Sequence, residues 1–293
     1  MNKGFYTALG TPLNPDFTFC EEGMIAQIEQ QIEAGASGLL VMGSMGNMSY
    51  LKNSEYAKVA KCSAEAAKGR VPVLVGVTDV SIGRVLDRVN ALEGIDGIDG
   101  IVSTVPYYAA VSQDNIFTFY NEIANRSGRH TYLYDLPGVT KVATAPDTVK
   151  RLWANPNIKG IKSGNLVTQR VLMRDENRPA DFEQMFSNLD EFDIAYQYGV
   201  NKNLDGMFAA TPATAKKMYE ALDKGDMATA ADALDGILTL RNLYLASGCL
   251  MAAFTHSMNL LGCKGFFGRD YDLGISDEMK EKIAAVMKDL GEI

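Results

Sequence analysis

"GLLVMGS", residues 38–44, decides the fold. It is a short, almost unbroken apolar run closed by a glycine and a serine. A half-solvated strand would alternate apolar and polar residues; an unbroken run belongs to a strand buried on both faces. Such strands occur in parallel sheets whose two sides are covered.

The flanking sequence supplies the cover. Before it, "EEGMIAQIEQQIEAGA" (21–36) carries apolar residues at helical spacing, and after it "SEYAKVAKCSAEAAKG" (54–69) does the same. Further out the pattern repeats. Strand-like runs are expected at 4–9, 38–44, 71–77, 100–108, 130–137, 158–164, 182–188 and 204–210. Helices are expected at 21–36, 54–69, 83–92, 113–125, 146–155, 166–174, 191–199 and 212–225. Eight strand–helix pairs predict an α/β fold, a parallel (β/α)8 TIM barrel rather than an open sheet. The remainder, 226–293, reads as three helices. The expected division is a catalytic barrel, 1–225, with a C-terminal helical extension, 226–293.

Bulk properties fit one large domain. The chain has 293 residues, 47% of them hydrophobic and 22% charged. A net charge of −8 disfavours a nucleic-acid partner, because phosphate binding requires a basic surface. The scattered cysteines Cys20, Cys62, Cys249 and Cys263 form no CxxC and read as reduced thiols. No membrane-length apolar run and no signal-like leader is found, so the expectation is a cytoplasmic protein without a membrane partner. The two histidines, His130 and His256, are too few for most zinc sites. No GxSxG elbow accompanies them. Both read as structural, and no metal or cofactor is expected.

Barrels of this kind work at the C-terminal ends of their strands. Strand two ends in "GSMGNM" (43–48), strand four in "PYY" (106–108), strand five at Tyr134, strand six at Lys162 and strand seven in "SNLDE" (187–191). Lys162 is the notable one. Strand side chains alternate, so Ile161 facing the helices turns Lys162 into the barrel, with Gly160 leaving room below it. Burial disfavours an ammonium and favours the neutral amine, which attacks ketones to form a Schiff base. A lysine reaching the rim, or paired with an acid, remains the alternative. Tyr132 and Tyr134 should also point inward. Alone, Tyr134 reads as core packing; within a hydroxyl network it can relay a proton. The "GSMGNM" turn can offer Ser44 and backbone N–H groups to an anion, though Gly-Ser turns are common. Asp190 and Glu191 more often serve as a solvated helix start. "FAATPATAKK" (208–217) carries no phosphate-loop pattern, which disfavours a phosphorylated substrate.

Four motifs, in order and at the right strand ends, carry a resemblance. "GSMGNM" resembles G-[ST]-T-G-E, "TVPYY" P-[YF]-Y, "YDLPGVT" (134–140) Y-N-x-P, and "GIKSGN" (160–165) G-[IL]-K-x-[AST]-[SG]. The chain resembles the dihydrodipicolinate synthase / N-acetylneuraminate lyase family of class I, pyruvate-dependent aldolases over nearly its whole length. The resemblance implies that Lys162 forms the Schiff base and that Tyr134 is the general acid/base. It implies that Ser44 touches the substrate carboxylate and Tyr134, with the residue 45 N–H beside it. It also implies that Tyr108 reaches a neighbouring subunit's site in a homotetramer.

The departures set the expected substrate. Val139 stands where the synthases hold an arginine for the aldehyde's carboxylate. Met45 replaces a hydroxyl of the relay, Asn47 a glutamate, and Ser163 an acid. "SNLDE" resembles the lyase stretch N-G-Y-D-E, whose Asp and Glu bind polyol hydroxyls, as Asp190 and Glu191 would; Leu189 interrupts the match. Ala210 stands for a polyol-binding serine. The expected activity is an aldolase or lyase on an N-acetylneuraminate-like or other 2-oxo sugar acid. The alternatives are 4-hydroxy-tetrahydrodipicolinate synthase, a 2-keto-3-deoxy sugar acid aldolase or dehydratase, and, outside the class, a pyruvate-binding pseudoenzyme.

Overall fold

In the computed structural model, which describes residues 1–293, eight parallel strands close into a barrel. They are β1 (Gly4–Ala8), β2 (Gly38–Val41), β3 (Val73–Gly76), β4 (Gly100–Thr104), β5 (Thr131–Asp135), β6 (Ile158–Ser163), β7 (Glu183–Phe186) and β8 (Lys202–Asp205). Around them lie α1 (Glu21–Glu33), α2 (Asn53–Ala67), α3 (Ile82–Asn90), α4 (Gln113–Ser127), α5 (Pro137–Thr140), α6 (Pro146–Leu152), α7 (Leu166–Met173), α8 (Phe192–Gln197) and α9 (Pro212–Lys224). Three helices follow, α10 (Met227–Ala246), α11 (Leu250–Leu260) and α12 (Asp277–Asp289). The expected (β/α)8 barrel with C-terminal helices is what the chain forms. No helix is long and apolar enough to cross a membrane.

The elements differ from expectation where local chemistry intervenes. β4 stops at Thr104 rather than running to 108, because Pro106 has no N–H for a ladder. The run 204–210 is not one strand. The Asp205 carboxylate accepts the Met207 N–H at 2.8 Å and turns the chain into a 3₁₀ segment, Met207–Ala209. The helix expected at 191–199 is entered earlier, through a 3₁₀ turn at Leu189–Glu191 capped by Asn188. The short helix α5 was not expected; its first residue is Pro137, a good first-turn residue.

Tyr6, Ala8, Leu40, Leu74, Val102, Tyr132, Tyr134, Met185 and Leu204 fill the barrel interior. β6 adds only Gly160 and Lys162 to this inner face. Glycine at 160 is dictated by close approach. A Cβ there would lie 2.8 Å from Tyr132 Cδ1 and 2.5 Å from the Glu183 carbonyl oxygen. The room below Lys162 is therefore filled by the Tyr132 ring. Outward residues such as Leu133 and Ile161 join the core beneath the helices. A second core, containing Ala210, Phe208, Leu234 and Phe254, welds α8–α12 to the barrel.

Candidate active site

The β2 turn begins with backbone strain. Met42 takes φ +53°, a left-handed conformation that costs a non-glycine residue about 1–2 kcal/mol. It swings the next residues over the mouth, so that the Ser44 Oγ and the Tyr134 phenol lie 3.2 Å apart in a hydrogen bond. Tyr134 and Lys162 are directly paired in the β5–β6 register. Lys162 is only 7% exposed, and its Nζ sits 3.8 Å from the centroid of the Tyr134 ring. Lys162 takes part in none of the chain's ion pairs. The structure thus brings Lys162, Tyr134 and Ser44 together.

The other expected residues are placed differently. Met45 is half-buried and covers the end of β8, where a Cβ on Gly206 would meet its Cγ at 2.2 Å. It contributes no hydroxyl. Asn47 takes φ +58°, a conformation asparagine tolerates well, and donates its amide to the Phe267 and Gly268 carbonyls at 3.0 and 3.2 Å. A glutamate there could not donate. Tyr108 is 91% exposed. Val139 lies on α5, exposed. Asp190 is held by two hydrogen bonds from the Arg241 guanidinium of α10, which keeps its carboxyl below the usual range. Glu191 has no side-chain partner and lines a cavity of about 770 Å³ beyond β5, β6 and β7. Ala210, just past the end of β8, is fully buried in the second core and presents a methyl group where the resemblance has a hydroxyl. His130 is exposed at the start of β5, and His256 Nε2 lies 3.2 Å from the Lys280 carbonyl.

Four residues escaped the sequence reading. Asp135, in the asparagine position of Y-N-x-P, is 3% exposed and lines the same cavity. Its Oδ2 accepts from the Ser163 hydroxyl at 2.8 Å and its Oδ1 from the Thr144 N–H at 2.9 Å. Burial pushes its carboxyl up, against the pull of those donors. An acid ending an apolar strand was the available signal. Asp205 sits at the true end of β8. Burial raises its carboxyl, while the Met207 N–H and the charges of Lys162 and Arg241 draw it back. Reading 204–210 as strand hid it. Arg170 lines the cavity and stacks on Tyr198, 4.2 Å from the ring centroid. Arg241 left no signal in a helix read as core.

A closed (β/α)8 barrel with a buried lysine facing a tyrosine at its mouth has the parts that Schiff-base chemistry requires. Residues 1–290 match the model of the dihydrodipicolinate synthetase family, and the chain belongs to that family. It is thereby a lyase of the class I, pyruvate-dependent aldolase group. A 4-hydroxy-tetrahydrodipicolinate synthase of Bradyrhizobium diazoefficiens is 29% identical over 89% of this chain and 87% of its own. A dihydrodipicolinate synthase structure from Bacteroides thetaiotaomicron superimposes with a TM-score of 0.86 at 25% identity, covering 99% of this chain and 100% of its own. The Ruminococcus gnavus sialic acid aldolase shares the fold, with a TM-score of 0.89 at 18% identity over 99% and 98% of the two chains.

Proposed function

We propose that this chain makes or breaks a carbon–carbon bond between pyruvate and an aldehyde through a Schiff base on Lys162. The observation that carries this reading is the buried Lys162 Nζ, 3.8 Å from the centroid of the Tyr134 ring. The Lys162 amine gives up its proton and attacks the pyruvate keto carbon, and loss of water from the carbinolamine leaves the imine. Tyr134 moves the protons, with Ser44 as its hydrogen-bonded partner. Loss of a methyl proton gives the enamine, whose carbon attacks the aldehyde; the reverse sequence cleaves the product. The exposed Tyr108 is available to a second subunit, as expected of a homotetramer. Four free cysteines fit a reducing cytoplasm.

Two aldehyde partners compete. The name of the curated relatives supports aspartate semialdehyde, the synthase reaction, and we place it first. Val139 offers the semialdehyde carboxylate no cation, and Arg170 lines a cavity whose wall includes neither Lys162 nor Tyr134. A 2-oxo sugar acid such as N-acetylneuraminate comes second. Val139 and the unpaired Glu191 support it, whereas Asp190 is already engaged by Arg241. The test is turnover measured side by side: pyruvate with aspartate semialdehyde, cleavage of N-acetylneuraminate, and cleavage of 2-keto-3-deoxygluconate. Synthase turnover well above both cleavages supports the first reading. Preferred cleavage of either sugar acid overturns it. Pyruvate bound without exchange of its methyl protons would instead support a pseudoenzyme, the reading Met45 favours.

A further inference from the structure

We infer that Asp135 is a positioning residue for the Lys162–Tyr134 pair, holding the mouth ends of β5 and β6 together through Ser163. This rests on the aldolase reading above. Asp135 directly follows Tyr134, and Ser163 directly follows Lys162. The two are register partners, as are Tyr134 and Lys162. The Ser163 hydroxyl donates to Asp135 Oδ2 at 2.8 Å, and both residues are buried. A buried hydrogen bond of this kind is costly to break, because the partner left behind has no water to replace it.

The fold needs a tie at this place. The β5–β6 ladder is irregular at its lower end: Thr131 pairs with Ile158, but Tyr132 pairs with Gly160. One residue is skipped, so the start of the ladder does not by itself fix the register above it. A one-residue slip of a strand sends every side chain to the opposite face. It would carry Lys162 out of the barrel. The tie lies beyond the irregularity and at the reacting end.

It also gathers two other segments. Asp135 Oδ1 accepts the Thr144 N–H at 2.9 Å, fixing the chain before α6. Ser163 Oγ accepts the Asn165 N–H at 3.1 Å, and Asn165 caps α7 through the Thr168 N–H at 3.0 Å. The Asp135 carboxylate is thus the hub from which both strand ends and the next two connections are set. The resemblance assigns an acid to the position of Ser163; here the acid stands across the ladder, on β5. Displacing a reacting group by about 1 Å costs on the order of 100-fold in rate.

The experiment compares Asp135→Ala, Asp135→Asn and Ser163→Ala with the parent. Folding is monitored by circular dichroism, and kcat and KM are read from deuterium exchange at the pyruvate methyl group. Asp135→Ala is expected to lower kcat for exchange at least tenfold while KM for pyruvate moves less than threefold. Asp135→Asn keeps the shape and an acceptor oxygen and should stay within threefold of the parent. Ser163→Ala removes one oxygen and should fall between them; it carries the test if Asp135→Ala does not fold. A folded Asp135→Ala or Ser163→Ala variant exchanging at the parental rate overturns the inference. So does an Asp135→Asn variant as slow as Asp135→Ala. A parent that traps no pyruvate on Lys162 under borohydride overturns the aldolase reading, and the inference falls with it. Normal trapping with indifferent Asp135 variants overturns the inference alone.

Discussion

Lys162 Nζ rests against the face of the Tyr134 ring, 3.8 Å from its centroid, and the same phenol reaches Ser44 at 3.2 Å. One tyrosine therefore meets the lysine with its ring and the serine with its hydroxyl. The two contacts can be separated by mutation.

Tyr134→Phe keeps the ring and removes the proton carrier. Turnover should fall about 10²- to 10⁴-fold, the usual worth of a positioned acid/base group. Stability should change by only about 1 kcal/mol, since one hydrogen bond is lost. Steady-state kinetics and thermal unfolding together check both halves. A variant as unstable as it is inactive would contradict the assigned role.

Asn47 ties the β2 turn to the extension through the Phe267 and Gly268 carbonyls. Asn47→Asp places a carboxylate against those oxygens and should cost about 1–3 kcal/mol in denaturant unfolding. Asn47→Gly preserves the left-handed backbone and loses only the donors, so it should cost less than the aspartate variant.

Gly160→Ala sets a methyl group 2.8 Å from Tyr132 Cδ1 and 2.5 Å from the Glu183 carbonyl oxygen. Overpacking of this kind costs about 1–3 kcal/mol. The expected result is a Tm lower by a few degrees (about 2–4 °C per kcal/mol for domains of roughly 150–250 residues, and somewhat less for a longer chain). An unchanged Tm would mean that the floor of the barrel yields more readily than its packing implies.

Asp79, just beyond the C-terminal end of β3, supports the β2 turn through Arg88. Its Oδ2 lies 3.2 Å from Arg88 Nη2, and Arg88 donates to the Met48 carbonyl of the β2 turn at 2.7 Å. Burial works to raise the Asp79 carboxyl, but the bonds from Arg84 and the Val80 N–H, with the charge of Arg88, hold it below the ordinary range. A carboxyl lowered by folding adds stability above its unfolded value, about 3.9, and loses it as pH falls through the folded one. Asp79→Asn should therefore be less stable than the parent at pH 7, by about 1–3 kcal/mol. The gap should close as the solution is taken below pH 4. Urea titrations of both proteins across that range measure it; a pH-independent gap would contradict the charge argument.

The barrel was legible because buried parallel strands and amphipathic helices have different periods, and here they alternate without interruption. Lys162 was legible because a cation in an apolar strand has few explanations. What escaped was fixed by tertiary contact. Asp205 was concealed because its own hydrogen bond to Met207 ends β8 earlier than hydropathy suggests. The engagement of Asp190 depends on Arg241, 51 residues away on α10, and nothing local to either residue announces it. Asn47 read as a lost glutamate, yet its left-handed backbone and its bonds to the extension give it a structural task no motif records.

Borohydride reduction in the presence of pyruvate, read by intact mass and peptide mapping, asks whether Lys162 forms the imine. One reduced pyruvate adduct is expected, located on Lys162 and absent from a folded Lys162→Ala variant. A folded parent protein that acquires no adduct, or acquires it on another lysine, would contradict an imine on Lys162.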